Sequence, residues 1–251
     1  MRGLALSGGG ARGLAHIGAL EVFLEAGLDF QVVAGTSMGA IVGALFAAGK
    51  TPAEMLAIAR STPWLRLISP SLRRGLFSRR ALRDYLAHHL PPRFEDLRRP
   101  LVVPAVEVGT GRLHYLSQGD LLSAVLASAA LPGLLAPVER EGSWLFDGGI
   151  LDNLPVDAAR FLGAKEVYAV DVTPDGVHHP PPEGPLALAR HAVDIMQAHL
   201  NRLRLALYPP EVYLRPELTG LGVEDFLRLE EAVEAGREAA RRVLAGRVGG
   251  V

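Results

Sequence analysis

The chain has 251 residues, 49% apolar, 21% charged and 6% aromatic, a composition that can bury a sizeable core and excludes disorder for its bulk. Lys and Arg number 26 against 27 Asp and Glu, a net charge of −1, so no overall field draws the protein to nucleic acid and none is expected as a partner. The absence of cysteine excludes disulfides, thiolate metal sites and a cysteine nucleophile.

Short apolar runs alternate with longer helical stretches, the pattern of an α/β protein. Residues 1–6 show no basic stretch leading into a long apolar run, so no secretory signal is visible and a cytoplasmic location is expected. Residues 4–6 read as a first strand, followed by Gly8-Gly9-Gly10-Ala11-Arg12-Gly13 and at once by a helix. The apolar face of that helix is Leu14, Ile17, Leu20, Val22, Phe23 and Leu24, and Gly27 stands where a C-terminal cap belongs. A second strand at 30–34 runs into Gly35-Thr36-Ser37-Met38-Gly39 and a helix ending at Gly49. The apolar run 40–49 is about half of the roughly 20 residues a bilayer span needs, and it reads as a buried helix. Thr51, Pro52 and Glu54 form a capping box that opens a third helix.

Further on, residues 101–108 and 112–116 flank Gly109-Thr110-Gly111 as a hairpin, and 120–130 reads as a helix. A short strand at 144–146 ends in Asp147-Gly148-Gly149, a helix follows at 155–162, and 167–172 is a strongly apolar buried strand. Residues 173–185, rich in Pro and Gly, read as a loop or mobile cover. Helices at 186–207 and 223–244, with a strand at 211–214 between them, complete the chain. One domain over residues 1–251 is expected, with its motifs in a core at about 4–172 and a helical part at 186–245.

Gly35-Thr36-Ser37-Met38-Gly39 is a G-x-S-x-G sequence between a predicted strand and a predicted helix. In such an elbow a strained turn presents the serine hydroxyl at the strand's C-terminal edge, and the flanking glycines let backbone crowd the turn. The bland reading is a glycine-rich turn packing a helix on a sheet. A histidine base after Asp147 would complete a triad, but His178 and His179 fall in the loop and His191 and His199 on a long helix, none in a motif, while His16 has no adjacent acid.

Gly8, Gly10 and Gly13 also match the dinucleotide fingerprint, yet the acid that fingerprint needs at the end of the second strand is replaced by Ala34-Gly35-Thr36-Ser37. The same loop can serve as an oxyanion hole formed by Gly8, Gly9, Gly10, Arg12 and Gly13, with Arg12 bracing it or favouring negative charge. Asp147, entering Gly148 and Gly149, can take the Ser37 proton directly if burial raises its pKa, although Asp-Gly is also an ordinary turn dipeptide. Asp152, Asp157 and Asp171 are rival carboxylates.

Four segments in order resemble the patatin-like phospholipase family: residues 8–13, residues 35–39, Ala127-Ser128-Ala129-Ala130-Leu131-Pro132, and Asp147-Gly148-Gly149 with Asn153 and Pro155. The resemblance covers roughly residues 4–172. It implies a three-layer α/β/α fold on a mainly parallel sheet, with Ser37 as nucleophile, Asp147 as its partner base and the glycine-loop amides as oxyanion hole. Gly35, Gly39, Gly148 and Gly149 support the motifs. It further implies cleavage of lipid acyl esters, phospholipid or lysophospholipid, with no metal or other cofactor. Two other readings stand beside it, a nucleotide-binding protein using the 8–13 loop and a catalytically silent regulatory protein of the same fold.

Residues 55–83 hold Arg60, Arg66, Arg73, Arg74, Arg79, Arg80 and Arg83 without an acid, interleaved with large apolar residues from Trp64 to Phe77. They are expected either to cover an acyl site and contact a membrane surface, or to form a solvated basic face over part of the core.

Overall fold

The computed structural model describes residues 1–64, 79–174 and 183–248. The strands are β1 (Arg2–Leu6), β2 (Val32–Gly35), β3 (Leu101–Glu107), β4 (Leu113–Leu116), β5 (Val138–Arg140), β6 (Ser143–Asp147), β7 (Glu166–Val170) and β8 (Val212–Leu214). The helices are α1 (Ala15–Glu25), α2 (Met38–Ala47), α3 (Pro52–Ser61), α4 (Arg79–Leu86), α5 (Leu121–Ser128), α6 (Val156–Phe161), α7 (Pro185–Leu207) and α8 (Leu229–Val248).

The described strands form one mixed sheet in the order β5-β6-β3-β2-β1-β7-β8, with β4 also paired to β3. The run from β3 through β8 is parallel, whereas β4 and β6 pair antiparallel with β3 and β5 with β6. Strand alternation divides the interior into two cores. Leu4, Leu6, Val33, Leu101, Tyr168 and Val170 face the core under α1, α2, α3, α5 and α8, where Phe23, Phe30 and Tyr168 meet edge to face at 5.3–5.8 Å between centroids. Ala5, Ala34 and Ala169 face the opposite side, and these small residues admit α6, which packs Ala158 and Ala159 there. The expected three-layer α/β/α arrangement is therefore present, with a sheet more mixed than its central strands suggest.

Local chemistry sets the boundaries. Thr51 accepts from the Glu54 amide at 3.2 Å and the Glu54 carboxylate accepts from the Thr51 amide at 2.8 Å, the capping box read from the sequence. Gly49, at φ +93°, ends the α2 segment where a side chain is strained. Three expectations shift. A 3₁₀ turn at Gly10–Leu14 precedes α1, so the first helix does not start at once after the glycines. The last helix begins at Leu229, after a 3₁₀ turn at Phe226–Arg228, and β5 and α4 were not anticipated.

Among the described residues no helix is long and apolar enough to cross a membrane.

Candidate active site

The register brings two distant segments level. β1 and β2 pair Leu6 with Gly35, so the loop starting at Ser7 and the turn at Ser37 leave adjacent strand ends on the same edge. β2 and β3 pair Ala34 with Val102; three residues further along β3, Ala105 pairs with Asp147 of β6, while three residues beyond Ala34 is Ser37. Asp147 thus arrives level with Ser37 across β3, from an antiparallel strand rather than from a neighbouring parallel tip.

Ser37 has φ 55° and ψ −121°, the strained turn expected of an elbow. Its backbone N–H donates to the Ser128 hydroxyl at 3.2 Å, and the neighbouring Thr36 hydroxyl donates to the Asp152 carbonyl at 2.9 Å. A Cβ on Gly39 would stand 2.3 Å from the Leu6 carbonyl oxygen, so only glycine allows α2 to start this close to β1.

Asp147 is 2% exposed, its carboxylate accepts from the Gly149 amide at 2.7 Å, and the Ser37 side chain lies near enough to favour its charged form. Burial pushes its pKa up to about 7, against the opposing pull of the Gly149 amide and the nearby Ser37 side chain. Gly149 is itself held by α7, where Gln197 donates to the Gly149 carbonyl at 2.8 Å. Both Ser37 and Asp147 line a cleft whose walls include Met38, Ile41, Trp64, Leu135 and Phe226. Such a lining, apolar with a few convergent polar groups, suits a lipid-like ligand.

The glycine loop reaches the same cleft through Gly8, Gly9 and Gly10, but its amides are not equivalent. The Gly8 amide donates to the Asn153 carbonyl at 3.1 Å and the Arg12 amide to the Gly9 carbonyl at 3.2 Å, so neither is available to a ligand. Those of Gly9 and Gly10 have no acceptor among the described residues. The Arg12 guanidinium donates to the carbonyls of Val172, Leu218 and Leu221, in keeping with the first of its two expected roles, bracing the loop. Gly13 lies against Met38, where a Cβ would meet Cγ at 2.4 Å, and shapes the loop without facing the cleft. Asn153 completes the clamp, its amide donating to the Gly8 carbonyl at 3.2 Å and the Thr173 hydroxyl at 2.8 Å. A Cβ on Gly10 would lie 2.3 Å from the Val223 carbonyl oxygen, so only glycine fits there.

No histidine lines the cleft among the described residues. His16 is buried against the Ser7 carbonyl at 2.8 Å, and burial pushes its pKa down to about 4. His199 is exposed beside Arg202, His191 lies on α7 away from the cleft lining, and His178 and His179 fall outside the described residues. The rival acids are engaged elsewhere. Arg204 pairs with Asp152 at 2.9 Å and Asp157 at 2.8 Å, and Asp171 accepts from Thr173 and Tyr213. Of the basic stretch 55–83, residues 65–78 lie outside the described residues. Its described ends are mixed, with Arg83 exposed while other residues face inward or pair. Trp64 stacks on Phe226 at 4.3 Å, Leu82 lines the cleft, and Arg60 bonds Glu230 at 2.7 Å.

Gln197 escaped the sequence reading, as did Asp194, which lines the cleft beside it. The signal was Gln197 and Asn201, polar residues one helical turn apart in a largely apolar helix.

The class is thus an α/β protein with a strained serine turn and a glycine-rich loop at adjacent strand ends of a mixed sheet. The chain belongs to the patatin-like phospholipase family, whose model matches residues 4–160. It is 30% identical over 96% of its length to a lysophospholipase NTE1 of Coccidioides immitis, of which it covers 17%. It is 38% identical over 67% of its length to an uncharacterized NTE family protein of Mycobacterium bovis, covering 48% of it. The chain therefore spans half or less of these relatives. Among solved structures it resembles VipD from Legionella pneumophila, with TM-score 0.63 at 15% identity over 98% of this chain and 67% of that one. The type III effector protein ExoU gives 0.52 at 17% identity over 98% and 53%. At these identities the likeness concerns the fold.

Proposed function

We propose that the protein is a serine acyl hydrolase that cleaves carboxyl esters of lipids, phospholipid or lysophospholipid, through a dyad of Ser37 and Asp147. Membership of a phospholipase family supports lipid ester hydrolysis, and a lysophospholipase among the relatives is consistent with it. The observation that supports the dyad is that Ser37 and a buried carboxylate, Asp147, whose pKa is raised to about 7, line the same apolar cleft.

The Ser37 oxygen attacks the ester carbonyl carbon while Asp147 accepts its proton, giving a tetrahedral oxyanion. The free amides of Gly9 and Gly10 donate to that oxyanion. Asp147 returns the proton to the departing alcohol, leaving an acyl-serine. A water, deprotonated by Asp147, then releases the acid and restores the serine. An ordinary carboxylate near pKa 4 is a weak base toward an alcohol; lifting it by about 3 units narrows the mismatch.

A fluorophosphonate should label Ser37 in the unsubstituted protein, and Asp147→Asn should abolish both labelling and ester turnover while the protein remains folded. Near-normal turnover by Asp147→Asn would remove the dyad. Stabilisation by a dinucleotide, with no labelling, would favour the nucleotide-binding reading.

A further inference from the structure

Helix α7 is amphipathic in the reverse of the usual sense. Its inward face is polar: Gln197 donates to the Gly149 carbonyl, Asn201, 3% exposed, donates to the Thr173 hydroxyl at 2.8 Å, and Arg204 pairs with Asp152 and Asp157. These positions are four and three residues apart and form one stripe of the helix. On the opposite side lie Leu188, Ile195, Met196, Leu203 and Leu207, from 38% exposed at Ile195 to 72% at Leu207. Ala192, His199 and Ala206 are interleaved with them on that side, and exposed Arg202, 3.3 Å from His199, borders the stripe. Leu188 to Leu207 extends about 28 Å along the helix. Globular proteins rarely leave such a stripe in water unless something covers it.

Two observations select the occupant. The apolar face runs into a groove between α7 and residues 131–134, with Ala189, Val193, Met196 and Ile150 among its walls. That groove shares Leu131, Leu134, Asp194 and Gln197 with the cleft holding Ser37 and Asp147. An acyl chain passing from a surface under α7 to Ser37 would therefore remain largely in apolar contact. Apart from His199 and the bordering Arg202 the stripe is apolar, which matches a hydrocarbon-rich interface. We propose that the outward face of α7 docks on a lipid surface, and that the groove beside it admits an acyl chain from that surface to Ser37. The choice of lipid as the occupant rests on the reading of the cleft as a lipid ester hydrolase. The polar stripe holds α7 to Gly149, Asp152, Asp157 and Thr173, and its Gln197 contact ties the docking element to Gly149, whose amide in turn bonds Asp147.

The test uses the Ser37→Ala protein, which leaves lipid intact, and vesicles of zwitterionic phosphatidylcholine. Co-sedimentation is compared with and without the added pair Ile195→Glu and Leu203→Glu; neither residue lines the cleft or the groove. Partitioning should fall at least tenfold with the pair, while the circular dichroism spectrum and thermal midpoint are retained. With Ser37 restored, the pair should slow hydrolysis of vesicle lipid in parallel and leave turnover of a short water-soluble ester unchanged. Equal partitioning of the two proteins would overturn docking by α7, as would no partitioning by either. A concentration-dependent dimer that the pair dissolves, with no vesicle binding, would instead give the face to a second copy of the chain. Failure of the unsubstituted protein to turn over any ester would overturn the dyad, and the Ser37→Ala sedimentation would still decide docking on its own.

Discussion

Replacing Asp147 by Asn should make the protein more stable as well as inactive, and by an amount that depends on pH. Asp147 is 2% exposed, and its pKa rises from 3.8 to about 7 on folding. For a carboxyl group this sign means that the unfolded chain releases the proton first, so wild-type stability is progressively lost as pH rises from 3.8 to about 7. Integrating the two titrations, the neutral Asn avoids a cost that is under about 1 kcal/mol at about pH 4 and grows to about 3–4 kcal/mol between about pH 6 and 8. Asn keeps an oxygen for the Gly149 amide, so that bond need not be lost. His16 works in the opposite direction: its pKa is pushed down to about 4, so folding stability falls on acidification between 6.5 and about 4. The two groups partly cancel in the wild-type pH profile, and only the difference between variant and wild type isolates Asp147. Urea unfolding of both proteins across pH 4–8 reads that difference directly, provided the m-values agree. A stability difference that stays flat with pH would refute the claim that Asp147 is charged and buried at neutral pH, and with it the origin of its basicity.

Three other substitutions examine the supports of the site. Ser37→Gly removes the nucleophile and relieves a residue held at φ 55°, so turnover should vanish while stability rises by about 1 kcal/mol in chemical denaturation. Arg204→Ala leaves Asp152, fully buried, without its cation, and should cost about 3–5 kcal/mol; adding Asp152→Asn should recover part of that loss, and no recovery would mean the pair is not the cause. Asn153→Ala unclamps Gly8, and misplacing the loop should lower kcat roughly 10–100-fold with a smaller change in KM; a pure KM effect would contradict a positioning role.

Preferring Asp147 over Asp152, Asp157 and Asp171 at the sequence level rested on the family resemblance, because the physical link to Ser37 is indirect: a parallel β2–β3 register, β3 as intermediary and an antiparallel β6 whose direction no local pattern announces. By contrast, the elbow, the capping box at Thr51 and the strand–glycine–helix order of the first half are written in local chemistry. Each depends on residues a few positions apart, where a missing Cβ or a hydroxyl acceptor decides the turn. The oxyanion donors fall between these cases. The loop was legible, but which amides are free depends on Asn153, some 145 residues away, taking the one on Gly8.

The same distance effect explains why α7 was read only as a long amphipathic helix. Periodicity finds a stripe and a default assigns the apolar side to the core. Here the core side is occupied by hydrogen-bonding groups left over at the strand ends: the Gly149 carbonyl, the Thr173 hydroxyl and the Asp152 and Asp157 carboxylates, all from other segments. Buried polar groups must be paired, and a helix bringing Gln197, Asn201 and Arg204 pairs several at once. Satisfying the polar edge of the active site therefore dictates which way α7 turns, and the apolar side is left facing out beside the cleft mouth. The stripe is a consequence of how the site is completed, which is why removing its outward leucines should alter lipid docking without disturbing the dyad.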